Sequence, residues 1–509
     1  MENGLKEIFS LADYLSKEDK KLVEKAYYFA KEAHKEQKRK SGEPYFIHLI
    51  ETAKNLASIK MDAVTISAGL LHDSIEDGVA TDEEIKEKFG EEIYFLVDGV
   101  TKLGKVRFQG MERHNESLKK LFIATSKDIR VAIVKFADRI HNIKTLEFVK
   151  PEKRKRIALE TLDIYTPLAQ RLGISVFAKQ LEDNAFPYAH PEEYKKVSEI
   201  LQTRKKQTLP QLEKIMKNLK KKFAENGILN FRSKYRIKGI YSLYKKLKRK
   251  NWDLNKIHDI AAIRLITKDV KTCYEILGII HQQYRPMPGR IKDYIAFPKP
   301  NGYQSIHTTV FTGDGGVAEI QIRTEQMDRE AELGAASHIS YKEQTGATDK
   351  IYWFEKLTNL FVKDKKSKEI QEKEKKKEKE KLERRTHWVK ELAESSQEVT
   401  GGEKDIKEHL DDFFKDRIFV FTPNGDVIDL PENSTPIDFA FMIHTDLGMS
   451  ITGARINNEY KSISTPLKNG DIVEIETSKK SKPTQKWLEA VKTTFAKRKI
   501  KNFLEKEKS

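Results

Sequence analysis

From about Leu11 to Leu201 apolar positions recur at spacings of three and four, as in VEKAYYFAKEAH and DAVTISAGLLHDSIED, and this period predicts an almost wholly helical region over residues 1–201. The helical period continues with strongly basic character from Gln202 to Phe223. After NGILNF the texture changes, because short β-branched runs, IAAIRLIT and VAEIQIRT, alternate with helices. An α/β domain is therefore expected over residues 202–342. Residues 363–385 (KDKKSKEIQEKEKKKEKEKLERR) mix both charge signs with almost nothing apolar and cannot build a core, so they read as an exposed helix or a flexible connector within a charged helical linker over residues 343–415. Past Asp416, RIFVFTPNGDVIDLP and NGDIVEIET give two strand-turn-strand signals around Asn-Gly-Asp, which predict a small β-rich module over residues 416–477. Residues 478–509 read as a basic helix beginning with Trp487. No internal repeat is visible.

A chain of 509 residues exceeds one ordinary core, which agrees with about three or four domains. Lys+Arg 95 against Asp+Glu 78 leaves a formal charge of +17, favouring polyanionic partners such as nucleotides, RNA or a ribosome, although a solvated Lys-rich surface would carry the same balance. The single cysteine, Cys273, excludes an internal disulfide framework and a multi-cysteine zinc site, and reads as a buried apolar residue. The N-terminus has no apolar core of signal length and no eighteen apolar residues run uninterrupted, so a soluble, cytoplasmic protein without membrane partners is expected.

Four ionisable residues interrupt the apolar run AGLLHDSIEDG. On a helix, His72/Glu76 and Asp73/Asp77 would form i,i+4 pairs on neighbouring strips. Such a concentration of carboxylates makes sense chiefly if a cation neutralises it. His48 in YFIHLIETA lies upstream and Asp138 in KFADRIHN downstream, completing the order His, His-Asp, Asp. A bare His-Asp dipeptide would better suit an N-capping or surface acidic cluster; the four-part set in helical context does not. His34 and His114 read as surface or capping residues.

That order resembles the HD phosphohydrolase superfamily, in which two histidines and two aspartates hold a divalent metal. The stretches RKSGEPYFIH, LLHDSIEDG, VDGVTKLGK, KDIRVAIVKFADRIHNIKTL and YTPLAQRLGI together resemble the hydrolase domain of Rel/Spo proteins. The resemblance implies that His48, His72, Asp73 and Asp138 hold Mn²⁺, that Glu76 and Asp77 position and deprotonate the attacking water, and that Arg39, Lys40 and Asn142 hold the nucleotide. It implies an active hydrolase releasing pyrophosphate from a 3′ position. A mixed His/carboxylate donor set suits Mn²⁺ on its own chemistry and would also accept Fe²⁺, Zn²⁺ or Co²⁺.

In YRIKGIYSLYKKL, a helix beginning near Lys238 would place Lys238, Ser242, Lys245 and Lys246 on one face, able to grip phosphates or to serve as an ordinary basic amphipathic face. In VAEIQIRT, alternation sends Glu319, Gln321 and Arg323 to one side, which is expected to meet solvent or ligand. Asp259, at the start of DIAAIRLIT, offers a second carboxylate, as magnesium-dependent transfer from ATP requires. Arg264 falls on the opposite side by parity, so sharing that site requires a strand end or bend. The loop RPMPGRIKDYIAFPKPNGYQSIHTTV carries Arg285, Arg290, Lys292, Lys299 and Tyr303, suited to wrapping a nucleotide.

This stretch, through AELGAASHISYKE, resembles the Rel/Spo synthetase domain, a relative of nucleotidyltransferases. The resemblance implies that Asp259 binds Mg²⁺, that Glu319 activates an acceptor 3′-hydroxyl, that Arg236, Lys238, Ser242 and Arg264 grip ATP, and that Lys292, Tyr303 and His307 serve GDP or GTP, Tyr303 stacking on the base. The motif Arg290-Ile291-Lys292-Asp293 is the basic version of bifunctional members. AASHISYKE departs from the His-Trp pair frequent in relatives, a position with no implied catalytic role.

Residues 416–477 resemble the TGS domain, a β-grasp fold, and His444 in FAFMIHTDLG matches a position implied to contact tRNA on a ribosome. Full-length members continue into helical, zinc-binding or ACT-type domains, whereas this sequence ends in a helix, as a truncated or naturally short form would. The expected whole is an all-α HD-type hydrolase domain, an α/β nucleotidyltransferase-like synthetase domain and a TGS domain, making and degrading (p)ppGpp in the stringent response. Two other readings are a hydrolase whose synthetase fold is kept as a nucleotide sensor, and an RNA- or ribosome-binding regulator. Opposed activities in one chain would waste ATP, so coupling between the sites is expected.

Overall fold

The computed structural model describes residues 2–101, 111–254, 257, 259–299, 301–313, 316–337, 389, 392–393, 417–478 and 480–506. The expected linker 343–415 lies almost wholly outside them. The chain divides into two compact units, one of residues 1–296 and 301–394, the other of residues 297–300 and 395–509.

The first unit begins as helices, many bounded by the local chemistry that ends a helix. Ser16, Asp62 and Thr81 accept from the backbone N–H three residues on, capping helices Lys17–Ala33, Ala63–Leu71 and Asp82–Phe89. Helix Arg130–Lys144 runs through the middle of this region and buries Val131, Ile133, Val134, Phe136 and Ile140. A five-residue π-helical turn, Thr161–Tyr165, joins helices Pro151–Glu160 and Thr166–Arg171. A single 35-residue helix, Pro191–Glu225, runs through position 201 and leads into the sheet.

That sheet contains β1 (Phe231–Ile237), β2 (Ala261–Thr267), β3 (Lys292–Asp293), β4 (Ile306–Phe311) and β5 (Val317–Thr324) in the order β1-β2-β5-β4-β3. Only the β2–β5 pair is parallel. The register aligns Ile263 with Ile320, Leu265 with Ile322 and Ile306 with Ile322, so one face is apolar. It packs on helix Val270–Gln283 and on Leu212, Met216, Leu219 and Phe223, with Cys273 buried in the same core as expected. Burying each of these isoleucines and leucines contributes roughly 1.5–3 kcal/mol relative to exposure. Arg264, Gln321 and His307 are aligned on the other face.

The second unit carries β6 (Arg417–Phe421), β7 (Val427–Pro431), β8 (Ile451–Ile456), β9 (Glu459–Lys461) and β10 (Val473–Thr477). The first Asn-Gly-Asp is a true hairpin turn between β6 and β7, with Gly425 at φ +87°. The second is not, because β10 pairs with the distant β8 and Gly470 only feeds the chain into it. The single basic tail helix expected from Trp487 is also corrected. Two helices, Gln485–Ala490 and Thr494–Lys506, form instead and pack Trp487, Val491, Ala496 and Ile500 against Ile437, Ala440 and Phe441. The break between them is held by buried Asp438, which accepts from the N–H groups of Lys492 and Thr493. Among the described residues no helix is long and apolar enough to cross a membrane.

Candidate active sites

Helix Phe46–Ser58 supplies His48 and helix Arg130–Lys144 supplies Asp138. His72 and Asp73 follow helix Ala63–Leu71 directly, and here the expectation of a helix through Asp77 fails: His72–Gly78 runs in turns, with Gly78 at φ +70°. At this end His72 Nδ1 donates to the Gly69 carbonyl at 2.9 Å, one of the carbonyls that the helix terminus leaves without an intrahelical partner. Asp77 N still reaches Asp73 O at 2.9 Å, so the one-turn spacing of the two carboxylates survives.

His48 Nε2 lies 3.3 Å from Asp138 Oδ1 and 3.5 Å from Asp73 Oδ2; His72 Nε2 lies 3.7 Å and 3.2 Å from the same atoms. Donor atoms of His48, His72 and Asp138 fall within 4.8 Å of one another, a group that Asp73 borders. His72 Nε2 is buried without a hydrogen bond of acceptable geometry. A buried nitrogen left so among carboxylates is costly unless a cation meets it, so the residues fit a divalent metal ion. In the metal-free chain burial pushes His72 down, but Asp73 and Asp138 outweigh it and lift the imidazole to about 10. Against the same opposing burial, His72 holds Asp73, and Lys135 with the histidines holds Asp138, well below the usual carboxylate range. Asp77 moves the other way, raised by burial and by the charge of Asp73. Glu76 lies on the same turns.

Several residues around this group escaped the sequence reading. Lys135, one turn before Asp138, is buried and donates to Asp138 Oδ2 at 2.8 Å. Tyr45 donates to Asp73 Oδ2 at 2.6 Å. His34 caps helix Lys17–Ala33 as expected, but it is fully buried rather than on the surface, stacked on Tyr45 with Nδ1 3.8 Å from Asp77 Oδ2. His141, pushed down to about 3 by burial, His48 and Arg39, sits between those two residues. The i±3 spacing from Asp138 was the available signal for Lys135 and His141. The side chain of His114 lies outside the described residues.

Beside the group opens a cavity of 590 Å³. Lys38, Arg39, Lys40, Lys153 and Arg156 give it a cationic lining, Leu118, Leu121 and Leu146 an apolar one, and Asp138 and Asn142 reach it from the metal side. The structure therefore brings Arg39, Lys40 and Asn142 to one chamber.

On the sheet, the four residues expected on one helical face divide between two carboxylates. Helix Ile240–Arg249 starts after Lys238, whose backbone continues β1 and donates to Ile260 O. Lys238 and Lys246 reach Asp259 at 2.7 and 2.5 Å, whereas Ser242 and Lys245 reach Glu182, a buried carboxylate of helix Ser175–Ala189, at 3.0 and 2.9 Å. Lys238 is pushed down by burial despite Asp259, and the two lysines hold Asp259 far below its ordinary value despite burial. Asp259 precedes β2 by two residues, off the strand, which removes the parity objection to its sharing a site with Arg264.

The polar side of β5 does not face solvent: Gln321 and Arg323 are buried. Arg323 is neutralised by Asp328 at 2.6 Å, and Arg264 pairs with Glu332 at 2.7 Å. Tyr303 Oη and His307 Nε2 are 2.8 Å apart, His307 Nδ1 lies 3.3 Å from Glu319, and Lys292 is registered against His307. His307 holds Glu319 below its ordinary value against the effect of burial, and the charge of Asp259 opposes it. Tyr303, His307, Glu319 and Lys292 are thus gathered together, and Arg236 is close enough to Lys238 to depress it. In the second unit His444 is exposed and N-caps helix Thr445–Ser450.

The chain therefore joins an HD-type helical module, a mixed sheet bearing paired carboxylates and cations, and a small β-grasp module. Family models agree, matching an HD domain over residues 26–175, the region found in RelA / SpoT proteins over 235–346 and a TGS domain over 418–477. The chain is 43% identical to the guanosine-3′,5′-bis(diphosphate) 3′-pyrophosphohydrolase of Aquifex aeolicus, over 95% of this chain and 65% of that one. It is 41% identical to the GTP pyrophosphokinase of Myxococcus xanthus (98% and 62%) and 39% identical to the bifunctional (p)ppGpp synthase/hydrolase SpoT of Escherichia coli (96% and 66%). It belongs to the Rel/Spo homologue family. It spans less than two thirds of the length of these relatives.

Proposed function

We propose that the chain both hydrolyses and synthesises (p)ppGpp. The observation that carries this reading is that one chain holds two separate constellations: His48, His72 and Asp138 beside a cation-lined cavity, and Asp259 with Glu319 among Lys238, Lys246, Tyr303 and His307.

In the first site His48, His72, Asp73 and Asp138 hold Mn²⁺, which when bound polarises the phosphate and acidifies water. Arg39, Lys40 and Asn142 hold the alarmone in the cavity. Asp77 and Glu76 orient a water and take its proton as its oxygen attacks the phosphorus attached to the 3′ oxygen. The P–O3′ bond breaks, the 3′ oxygen recovers a proton, and GDP or GTP leaves with pyrophosphate. The raised proton affinity of Asp77 suits a base that also returns its proton.

In the second site Asp259 holds Mg²⁺, which supplies charge neutralisation for the triphosphate. Arg236, Lys238, Ser242 and Arg264 grip ATP, and Tyr303 stacks on guanine while Lys292 and His307 hold the rest of the acceptor. Glu319 takes the proton of the 3′-hydroxyl, whose oxygen attacks the β-phosphorus of ATP and displaces AMP. The chain works in the cytoplasm in the stringent response, and His444 of the TGS module meets tRNA on the ribosome. Glu182 and Asp183, on a helix of the hydrolase side, bond Ser242, Lys245 and the N–H of Ile240, which supports coupling of the two sites.

The test mixes ATP, GDP and Mg²⁺ with a Glu76→Ala/Asp77→Ala variant and follows ppGpp and AMP by ion-exchange chromatography. Equal formation of both supports the synthetase. No product, while the unmodified chain degrades supplied ppGpp with Mn²⁺, favours the reading in which the sheet domain is a sensor.

A further inference from the structure

The metal-site reading leaves one proton to be placed. A histidine can offer a lone pair at Nε2 only if its other nitrogen carries the hydrogen, and the partner of that other nitrogen decides which form is present. For His72 the partner is the Gly69 carbonyl, which can only accept. For His48 the partner is another imidazole: His48 Nδ1 and His141 Nδ1 are 2.8 Å apart, and either could in principle donate.

Arg39 removes the ambiguity. Its Nη1 lies 2.7 Å from His141 Nδ1, and a guanidinium has donors and no acceptor. His141 Nδ1 is thereby an acceptor, so the hydrogen shared with His48 belongs to His48 Nδ1. The His48 lone pair then sits on Nε2, the atom 3.3 Å from Asp138 Oδ1 in the donor group. The same guanidinium sends Nη2 to Asn142 Oδ1 at 2.5 Å, and Asn142 in turn donates through Nδ2 to Asp138 Oδ1. One cation therefore reaches two ligand residues, each through a single intermediate on helix Arg130–Lys144.

We propose that His141 is a positioning residue for the metal site: kept as an acceptor by Arg39, it fixes the tautomer and ring orientation in which His48 presents Nε2 to the metal. Arg39 then has a role before any nucleotide arrives, beyond holding substrate. The inference rests on the reading of His48, His72 and Asp138 as a metal site.

The experiment measures Mn²⁺ affinity of the full chain without nucleotide, by competition with a fluorescent chelator. His141→Phe keeps a ring but removes the acceptor, whereas His141→Asn places an amide oxygen near the former Nδ1. Loss of such an outer partner typically weakens binding about 10–100-fold. The expected result is a loss of that order for His141→Phe, recovery to within about threefold for His141→Asn, and weakened binding in Arg39→Ala, which a residue touching only nucleotide would not produce. Wild-type affinity in His141→Phe overturns the proposal, as does equal loss in both His141 variants, which would mark a packing role. If His141→Phe does not fold, His141→Leu takes its place with the same two outcomes, because Arg39→Ala also removes the route through Asn142 to Asp138. His72→Ala separates the two failures: if it binds Mn²⁺ as the unmodified chain does, the metal-site reading itself falls, and if it loses Mn²⁺ while the other variants keep it, only the role of His141 falls.

Discussion

Replacing Lys135 by methionine asks what the buried ammonium beside Asp138 contributes. The side chains are 9% and 6% exposed and 2.8 Å apart, so solvent screens the pair little. Removing one partner of a buried pair typically costs about 3–5 kcal/mol. Asp138 would keep Asn142 and the cationic His72, which places the metal-free loss near the low end, roughly 3 kcal/mol. For a domain of this size each kcal/mol moves the midpoint by about 2–4 °C, so the metal-free helical transition should fall by roughly 6–12 °C. A divalent cation among His48, His72 and Asp138 would restore positive charge to the same carboxylate. If it cancels half the deficit, about 1.5 kcal/mol, linkage requires the variant to bind Mn²⁺ roughly tenfold more tightly than the unmodified chain. The assay is thermal unfolding followed by circular dichroism with and without Mn²⁺. A metal-free variant melting within about 2 °C of the unmodified chain, or a Mn²⁺-induced shift equal in both, would refute the argument.

In the metal-free chain His72 is lifted to about 10, so its stabilisation is present below the unfolded value near 6.5 and is lost as pH rises through about 10. A metal must displace that proton, and Mn²⁺ affinity should rise about tenfold per pH unit between about pH 6.5 and 8.5, with about one proton released in calorimetry across buffers; flat affinity would contradict it. Glu182→Gln keeps the shape of the contact with Ser242 and Lys245 but removes the charge competing for them. Lys245 is 41% exposed, so solvent discounts the gain to about 1 kcal/mol, and KM for ATP in synthesis should fall about fivefold; an unchanged or higher KM would give Glu182 a structural role. Gly334 has φ +54° and an added Cβ would meet Gly173 C at 2.3 Å, whereas Gly227, at φ +75°, has open space around it. Gly334→Ala should therefore cost more than the roughly 1 kcal/mol of strain expected for Gly227→Ala, and equal melting temperatures would show that the backbone contact relaxes.

Periodicity made the helical first half, the change to an α/β texture and the β-rich third module legible, because each rests on apolar positions whose spacing reflects one element's own geometry. Apolar spacing in AGLLHDSIEDG gives no sign that the chain leaves the helix after Leu71, where His72 bonds the Gly69 carbonyl. The remaining failures have causes outside the element. Alternation correctly put Glu319, Gln321 and Arg323 on one side of β5. It could not tell that Asp328 and Glu332, on the following helix, would fold back to neutralise the arginines and bury that side. The split of Ser242 and Lys245 from Lys238 and Lys246 depends on Glu182, some sixty residues upstream, where a carboxylate in a helix is unremarkable.

The departures from local rules are also where the chemistry collects, and the reason is energetic. A chain gains nothing in stability from ending a helix at His72 with an orphaned Nε2, or from lining a sheet interior with arginines and carboxylates, since buried polar groups cost free energy unless fully satisfied. Such arrangements persist where satisfaction is meant to be completed by something else. In the helical module the incomplete group is a set of donors that a cation would close. On the sheet, Lys238 and Lys246 converge on Asp259 with more positive charge than one carboxylate neutralises, while Arg236 remains exposed beside them. Lysines converging on a held carboxylate suit a polyanion with its own divalent ion, whereas in the helical module the carboxylates around two histidines suit a metal and the cationic lining of the adjoining cavity suits the polyanion. The two groups are built differently, one on imidazole and carboxylate donors and the other on lysines around a carboxylate, which argues that they serve different steps rather than duplicating one.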